Sequence, residues 1–477
     1  MSAATQVPPP AAGTAGLLCL VACGMFMQTL DGTIVITALP AMARSLHADP
    51  LGMHAVISAY LVAMAVLIPA SGWLADRHGT RTVYACALAA FTAGSVLCAA
   101  AHSLPLLIAA RVIQGAGGAL LLPVGRLAVL RAVPPSQLVP AMSAIAVPAL
   151  IGPMLGPALG GWLVETASWR WIFLVNVPVG AACIVAALLI LPRGVKRDGR
   201  RDGVPGAELA LPFDAAGYLM LAGAMAALAM GFEALSDRKP DLLRMALWSV
   251  AGAAALAAYI RHAGRCRHPL FPLARLLRLN MRVALGGNLC CRLGNAGMPF
   301  LLPLLMQLCM GYGPSQAGLM MLPVALMGMA VKPVAGPLIA RAGYRRVLLA
   351  NTAILGAALC SVALLRPGQA WWVHALPLAC FGAANSLQLT AMNTLALKDL
   401  KRREAGSGTS LLSMVQILAM GLGIALSGGL LAMNTRLANG APLDAFRLTF
   451  AMMGMLTLAS SAVFLQLPPR QPPTPNR

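Results

Sequence analysis

Charge is what this chain has least of. Only 10% of its 477 residues are Asp, Glu, Lys or Arg, and just 14 are acidic, whereas ordinary soluble domains carry about 25% charged residues. A shortage on that scale excludes a soluble globular enzyme, which must cover its surface with charge. Several chemical signatures are missing as well. There is no Gly-x4-Gly-Lys-Ser/Thr phosphate loop, which disfavours an ATP-driven pump. There is no nucleophile–base set and no His/Cys spacing typical of a metal site, so neither an enzyme nor a bound metal or cofactor is expected. Residues 1–14 carry no charged side chain and the first apolar stretch is too long for a signal-peptide core, so no cleavable leader is expected.

What replaces the charge is apolar: 59% of residues are hydrophobic and the mean hydropathy is +0.78. A bilayer core about 30 Å thick needs roughly 20 apolar residues per helix. Fourteen such spans can be drawn, at about 15–40, 55–75, 82–101, 103–125, 140–164, 171–192, 215–232, 245–260, 283–306, 316–340, 347–365, 371–395, 406–432 and 448–468. The net charge of +21 would point to nucleic acid in a soluble protein. Here most Lys and Arg fall in alternate loops: at Arg77 and Arg81, Arg126 and Arg131, and in the runs 193–201, 261–282, 341–346 and 398–403. That skew is a topology signal, placing both termini in the cytoplasm. Most of the 11 cysteines lie inside apolar windows and read as small packing residues.

The chain repeats itself. Gly-Trp-Leu-Ala-Asp-Arg-His-Gly-Thr-Arg at 72–81 and Gly-Pro-Leu-Ile-Ala-Arg-Ala-Gly-Tyr-Arg at 336–345 share Gly-x-Leu-x-x-Arg-x-Gly-x-Arg at an offset of 264 residues. The same offset carries the first five spans onto spans nine to thirteen. The organisation expected is therefore an N-terminal tail (1–14), a six-helix bundle (15–192), a basic linker region holding two extra helices (193–282), a second bundle (283–468) and a C-terminal tail (469–477). Both tails read as disordered. Parallel repeats of membrane helices are a transporter signature.

These motifs resemble the major facilitator superfamily, and in particular its fourteen-helix drug:proton antiporter branch. The loop at 72–81 is similar to the family's loop between its second and third helices. Leu30-Asp31-Gly32-Thr33 through Pro40 resembles the first-helix motif and Arg111-Val112-Ile113-Gln114-Gly115 the fourth-helix motif. Gly152-Pro153-Met154-Leu155-Gly156-Pro157-Ala158-Leu159-Gly160-Gly161 resembles the fifth-helix antiporter motif, and Ser168 to Pro178 the entry to the sixth helix. One departure is Ile36, where the family usually has Asn. The resemblance implies an all-α membrane protein with the major facilitator fold, two six-helix bundles plus two inserted central helices. It further implies a proton-coupled antiporter of the bacterial inner membrane, driven by the proton gradient and needing no cofactor. Its partners would be protons, lipids and a small-molecule substrate, and the protein would be a monomer.

The candidate site residues divide into four groups. Asp31 and Arg111 are intramembrane charges and candidates for proton coupling. A lone carboxyl in hydrocarbon is costly to keep ionised, the property a proton carrier uses; a permanent Asp31–Arg111 ion pair holding two helices together is the other reading. Arg292 and Lys332 add two more intramembrane cations, against Asp31 as the one clear intramembrane acid. With Asn176, Asn288, Asn295, Gln388 and Gln416 they are candidates for the substrate cavity, and the excess of cations favours an anionic or zwitterionic substrate. Asn385 and Asn393 are further polar candidates. Gly72, Asp76, Arg77, Gly79 and Arg81 form the gating loop, in which the resemblance implies a bridge from Asp76 to a helix end of the second half when the transporter faces outward. Gly152, Pro153, Gly156, Pro157, Gly160 and Gly161 form the antiporter seam. Two alternatives to drug efflux stay open: export of anionic metabolites such as an organic acid or metal chelate, and a transporter-shaped sensor or assembly subunit.

Overall fold

A computed structural model describes residues 12–133, 137–191, 213–234, 242–400, 405–438 and 442–468. The basic linker at 193–212, most of the N-terminal tail and the C-terminal tail lie outside the described residues. All secondary structure among the described residues is helical, as expected where the solvent offers no partner to an open backbone. The first bundle comprises α1 (Ala15–Ser45), α2 (His54–His78), α3 (Thr80–Ala99), α4 (Leu104–Ala132), α5 (Leu138–Thr166) and α6 (Trp171–Ile190). Two helices follow, α7 (Ala215–Phe232) and α8 (Leu243–Arg265). The second bundle is α9 (Leu279–Leu308), the bent α10 (Pro314–Ala330 with Lys332–Ala342), α11 (Tyr344–Val362), α12 (Trp371–Leu397), α13 (Ser407–Leu437) and α14 (Pro442–Phe464).

A helix therefore occupies each of the fourteen sequence windows. Eleven are long and apolar enough to cross a membrane, or twelve with the bent α10. The other two, α5 and α12, are helices of 29 and 27 residues. In α12 the apolar run is diluted by Asn385, Gln388 and Asn393.

The sequence repeat appears as backbone geometry. Gly79 and Gly343 both turn the chain with positive φ, 83° and 79°, values that glycine alone adopts without a steric cost. Upstream of each turn a proline breaks the helix, because its ring removes one hydrogen-bond donor and clashes with the preceding turn. Pro69 sits in a 3-10 segment, Ile68–Ala70. Its counterpart Pro333 follows a 50° bend in α10.

One close helix contact follows from side-chain size. Thr29, Thr33 and Thr37 recur every four residues on α1, and Gly152, Gly156 and Gly160 recur every four on α5. A Cβ on any of these glycines would collide with the facing threonine hydroxyl or, for Gly160, the Ile34 carbonyl. Small residues thus bring the two backbones together. Thr29 and Thr33 turn their hydroxyls back onto α1, Thr29 Oγ1 donating to Met25 O at 2.9 Å. Thr37 instead also donates across the seam to Pro157 O at 3.3 Å.

The two bundles meet along α2 and α13 and at the end remote from the chain termini. Gln307 of α9 donates to Thr37 O at 3.0 Å. Glu165, at the end of α5, accepts from Ser315 N at 2.9 Å and from the Ser315 hydroxyl. Between them α5 and α10 cross on glycine: added Cβ atoms would strike the Pro314 carbonyl from Gly161 and the Pro157 carbonyl from Gly318. Phe300 packs edge-on to His54 across the same boundary, with ring centroids 6.1 Å apart. Of the inserted helices, α7 rests on α2 and α13, its Leu221 and Met225 sharing a buried cluster with Ala65, Leu411, Leu418 and Leu422, and α8 packs against α7.

Candidate functional site

Asp31 is the centre of a wholly buried polar network. Arg111 Nη1 lies 2.6 Å from Asp31 Oδ2, and both side chains have no exposed surface. Gln114 Nε2 donates to Asp31 Oδ1 at 2.8 Å and to Ser95 Oγ at 2.7 Å. Asn176 Nδ2 donates to the same Asp31 oxygen at 3.0 Å. Arg111 donates further to Gln114 Oε1 at 2.7 Å and through Nε to Val56 O at 3.2 Å. Its guanidinium sits 4.1 Å from the centre of the Tyr60 ring, a favourable face for a cation. One carboxylate thus gathers groups from α1, α3, α4 and α6, with α2 supplying a carbonyl and a ring.

Such a network is costly to bury unless nearly every donor and acceptor is matched. Here the carboxylate accepts three hydrogen bonds, while Arg111 Nη2 is left without a hydrogen-bond partner. The sequence offers the Asp31–Arg111 pair as one of two readings and puts Asn176 among the cavity candidates; the structure places the Asn176 amide against Asp31. Gln114, Ser95 and Tyr60 were missed. The available signal was spacing, since Gln114 follows Arg111 by three residues and shares its helix face.

Among the described residues the second bundle has no equivalent buried ion pair. The 264-residue offset carries Asp31 onto Asn295, which is buried and bonds to Asn385 Oδ1 at 3.4 Å. The other amides fall into two groups. Gln416 of α13 bridges Asn288 of α9, at 3.3 Å, and Asn393 of α12. Gln388 instead pairs with Asn351 (2.7 Å) and Thr352 (2.9 Å) of α11. Among the described residues the candidate cavity amides therefore belong to separate hydrogen-bonded groups.

Arg292 occupies the last turn of the first α9 segment, and its Nε is buried without a hydrogen-bond partner. Lys332 lies at the bend of α10 and is exposed. Among the described residues neither cation is joined to the other or to an acid.

In the gating loop, Asp76 forms an ion pair with Arg131 at the end of α4, within its own bundle. Arg81 donates to the Leu188 carbonyl at the end of α6. The Arg77 guanidinium covers the Trp73 ring at 5.3 Å. Gly72 and Gly79 have open space around them, so Gly79 is needed for its positive φ rather than for close packing. In the seam, Gly152, Gly156 and Gly160 face α1, whereas Gly161 faces α10. Pro153 and Pro157 lie inside α5.

The sequence offered no cluster of metal ligands, but the fold assembles one. Asp214, His262 and Cys266 bring their donor atoms within 4.8 Å of one another. Sequence spacing concealed it because the carboxylate comes from the far end of the inserted hairpin.

A duplicated helical bundle with charge buried at mid-span defines a secondary membrane transporter. The sequence profile of the Major Facilitator Superfamily matches residues 21–423 and 284–477, and the chain belongs to that family. It is 43% identical over 457 residues to a Serratia proteamaculans relative named for multidrug resistance, MdtD, covering 94% of this chain and 93% of the relative. The MdtD relative of Escherichia coli K12 is 40% identical, with 94% of each chain covered. Among solved structures the fold is similar to the POT family transporter PepTSo, with TM-score 0.69, 14% identity and coverage of 96% and 98%. It is also similar to the human organic anion transporter MFSD10, with TM-score 0.60, 16% identity and coverage of 96% and 100%.

Proposed function

We propose that this protein is a proton-coupled efflux antiporter for drugs or small amphiphilic compounds, working by alternating access in a bacterial inner membrane. The observation that carries the reading is the Asp31 network. A carboxyl held between an arginine and two amides, deep in a helical bundle, has two stable states. Ionised, it pairs with Arg111; protonated, it releases the guanidinium and loosens α1 from α4. Taking up a proton from one side and releasing it to the other would then bias the packing of the first bundle, and rocking of the bundles would move the substrate. The relatives named for multidrug resistance support export as the direction.

The skew of Lys and Arg supports both termini lying in the cytoplasm. On that orientation the closed end, held by Glu165–Ser315 and Gln307–Thr37, is periplasmic, and the arrangement is inward-facing.

A second reading concerns substrate charge. The buried, unpartnered Nε of Arg292 favours an anionic or zwitterionic substrate over a lipophilic cation. The test of both is transport by purified protein in proteoliposomes, under an imposed pH gradient, of matched anionic, neutral and cationic compounds. Gradient-dependent export supports the antiporter. Absence of any gradient-dependent flux across the panel sinks it.

A further inference from the structure

We infer that Asp214, His262 and Cys266 form a binding site for a divalent transition-metal ion of the zinc class, at the termini-side end of the inserted α7–α8 hairpin. The three residues come together for local reasons. Cys266 directly follows the last residue of α8 and its N–H still bonds to His262 O at 2.8 Å, four residues back, so the helix end presents both. Asp214 is the N-cap of the helix that begins at Ala215, its Oδ1 accepting from Gly217 N at 2.8 Å. Its other oxygen accepts from Leu270 N at 3.1 Å, in the turn beyond α8. Two backbone donors therefore fix the carboxylate, as outer hydrogen bonds orient the ligands of established metal sites. The same carboxylate meets His262 Nε2 at 2.7 Å.

The donor set is one oxygen, one imidazole nitrogen and one sulfur, all within 4.8 Å of each other. Bonds of about 2.0–2.3 Å to such ligands would place neighbouring donors roughly 3.3–3.8 Å apart in a tetrahedron. A small turn of the His262 ring opens the present contact to that spacing. On binding, His262 offers Nε2 with its ring proton carried on Nδ1, the Cys266 thiol gives up its proton to solvent, and a water completes the fourth position. Nitrogen and sulfur donors select zinc-like ions over magnesium and calcium. Cys266 and His262 are partly exposed, so an ion can reach them. The neighbouring cations Arg261, Arg265 and Arg267 are exposed, and solvent screens their repulsion.

The site adjoins the gating loop. Phe213, immediately before Asp214, stacks on Trp73 with centroids 4.5 Å apart, and Trp73 lies under Arg77. An ion joining both ends of the hairpin would brace that contact.

The experiment uses the full chain in detergent, stripped of metal, with Zn2+ titrated against a chromophoric chelator and Co2+ binding followed by absorption. The expected result is one ion per chain, with a near-ultraviolet thiolate-to-cobalt band. Cys266→Ser should remove the band and His262→Gln should weaken Zn2+ at least tenfold. Mg2+ and Ca2+ in excess should not compete. His262→Gln retains a side-chain donor toward Asp214, so its fold is expected to persist and is checked by gel filtration. Should the wild type bind no ion, or should Cys266→Ser and His262→Gln bind with unchanged stoichiometry and affinity, the assignment is overturned.

Discussion

Arg111 and Asp31 are 80 residues apart in sequence, yet their side chains meet at 2.6 Å with neither reaching solvent. Within the bundle, each is the other's counter-charge. The pairing is common to both readings of Asp31 drawn from sequence: a permanent ion pair would be glue, and one that a proton opens would be a carrier.

Asp31→Asn should abolish gradient-driven export, read by a pH-sensitive dye in vesicles. It should also lower thermal stability, since removing one partner of a buried pair typically costs about 3–5 kcal/mol. Pairing it with Arg111→Gln should restore much of the stability but none of the coupling. Wild-type coupling in Asp31→Asn would remove the carboxyl from the mechanism.

Asn176→Ala and Gln114→Ala each delete one hydrogen bond to the Asp31 carboxylate, contacts worth about 1.5–3 kcal/mol when one partner is charged. Both should lower thermal stability and slow gradient-driven export, because the buried carboxylate loses one of its three donors. Wild-type stability and export in both variants would leave these amides as packing alone.

Gly161→Ala and Gly318→Ala test closure at the end remote from the termini. Each added methyl meets a backbone carbonyl, of Pro314 or Pro157, that cannot rotate away as a side chain could. Cysteine-accessibility labelling at that end should rise in both variants, with the substrate seal weakened. Labelling as in the wild type would show that α5 and α10 separate without opening a path.

Asp76→Asn breaks the pair with Arg131 and, on the latch reading, removes a contact used in the opposite state. Asp76 and Arg131 are both partly exposed, at 33% and 40%, and such pairs contribute about 0.2–1 kcal/mol. A shift of at most about fivefold in the two populations, toward the inward-facing state, is therefore expected in the same labelling assay. A shift toward outward-facing would show that the Arg131 pair outweighs the latch.

Lys332→Ala and Arg292→Ala should impair export of an anion more than that of a matched neutral compound, and Lys332→Arg should rescue only partly, given the different geometry of a guanidinium. Lipophilic cations proving the best substrates, and unaffected by Lys332→Ala, would end the anion reading.

The sequence by itself determined where the helices run, that they recur after 264 residues, and that Asp31, Arg111 and Gly79 are special. Each of these is written locally, in runs of apolar residues or in a residue type whose cost is fixed by burial or by φ. It could not determine partners across helices. Asn176 was assigned to the cavity because hydropathy says only that an amide is buried, whereas the crossing of α6 over α1 decides that it reaches Asp31, 145 residues away. The same holds for Asp214 with His262 and Cys266, and for Asp76 with Arg131. Which end of the bundle is shut was equally illegible, because closure depends on the relative tilt of two halves built from similar sequences. Glu165 meeting Ser315, and Gly161 meeting Pro314, are consequences of that tilt, and only the tertiary structure fixes it.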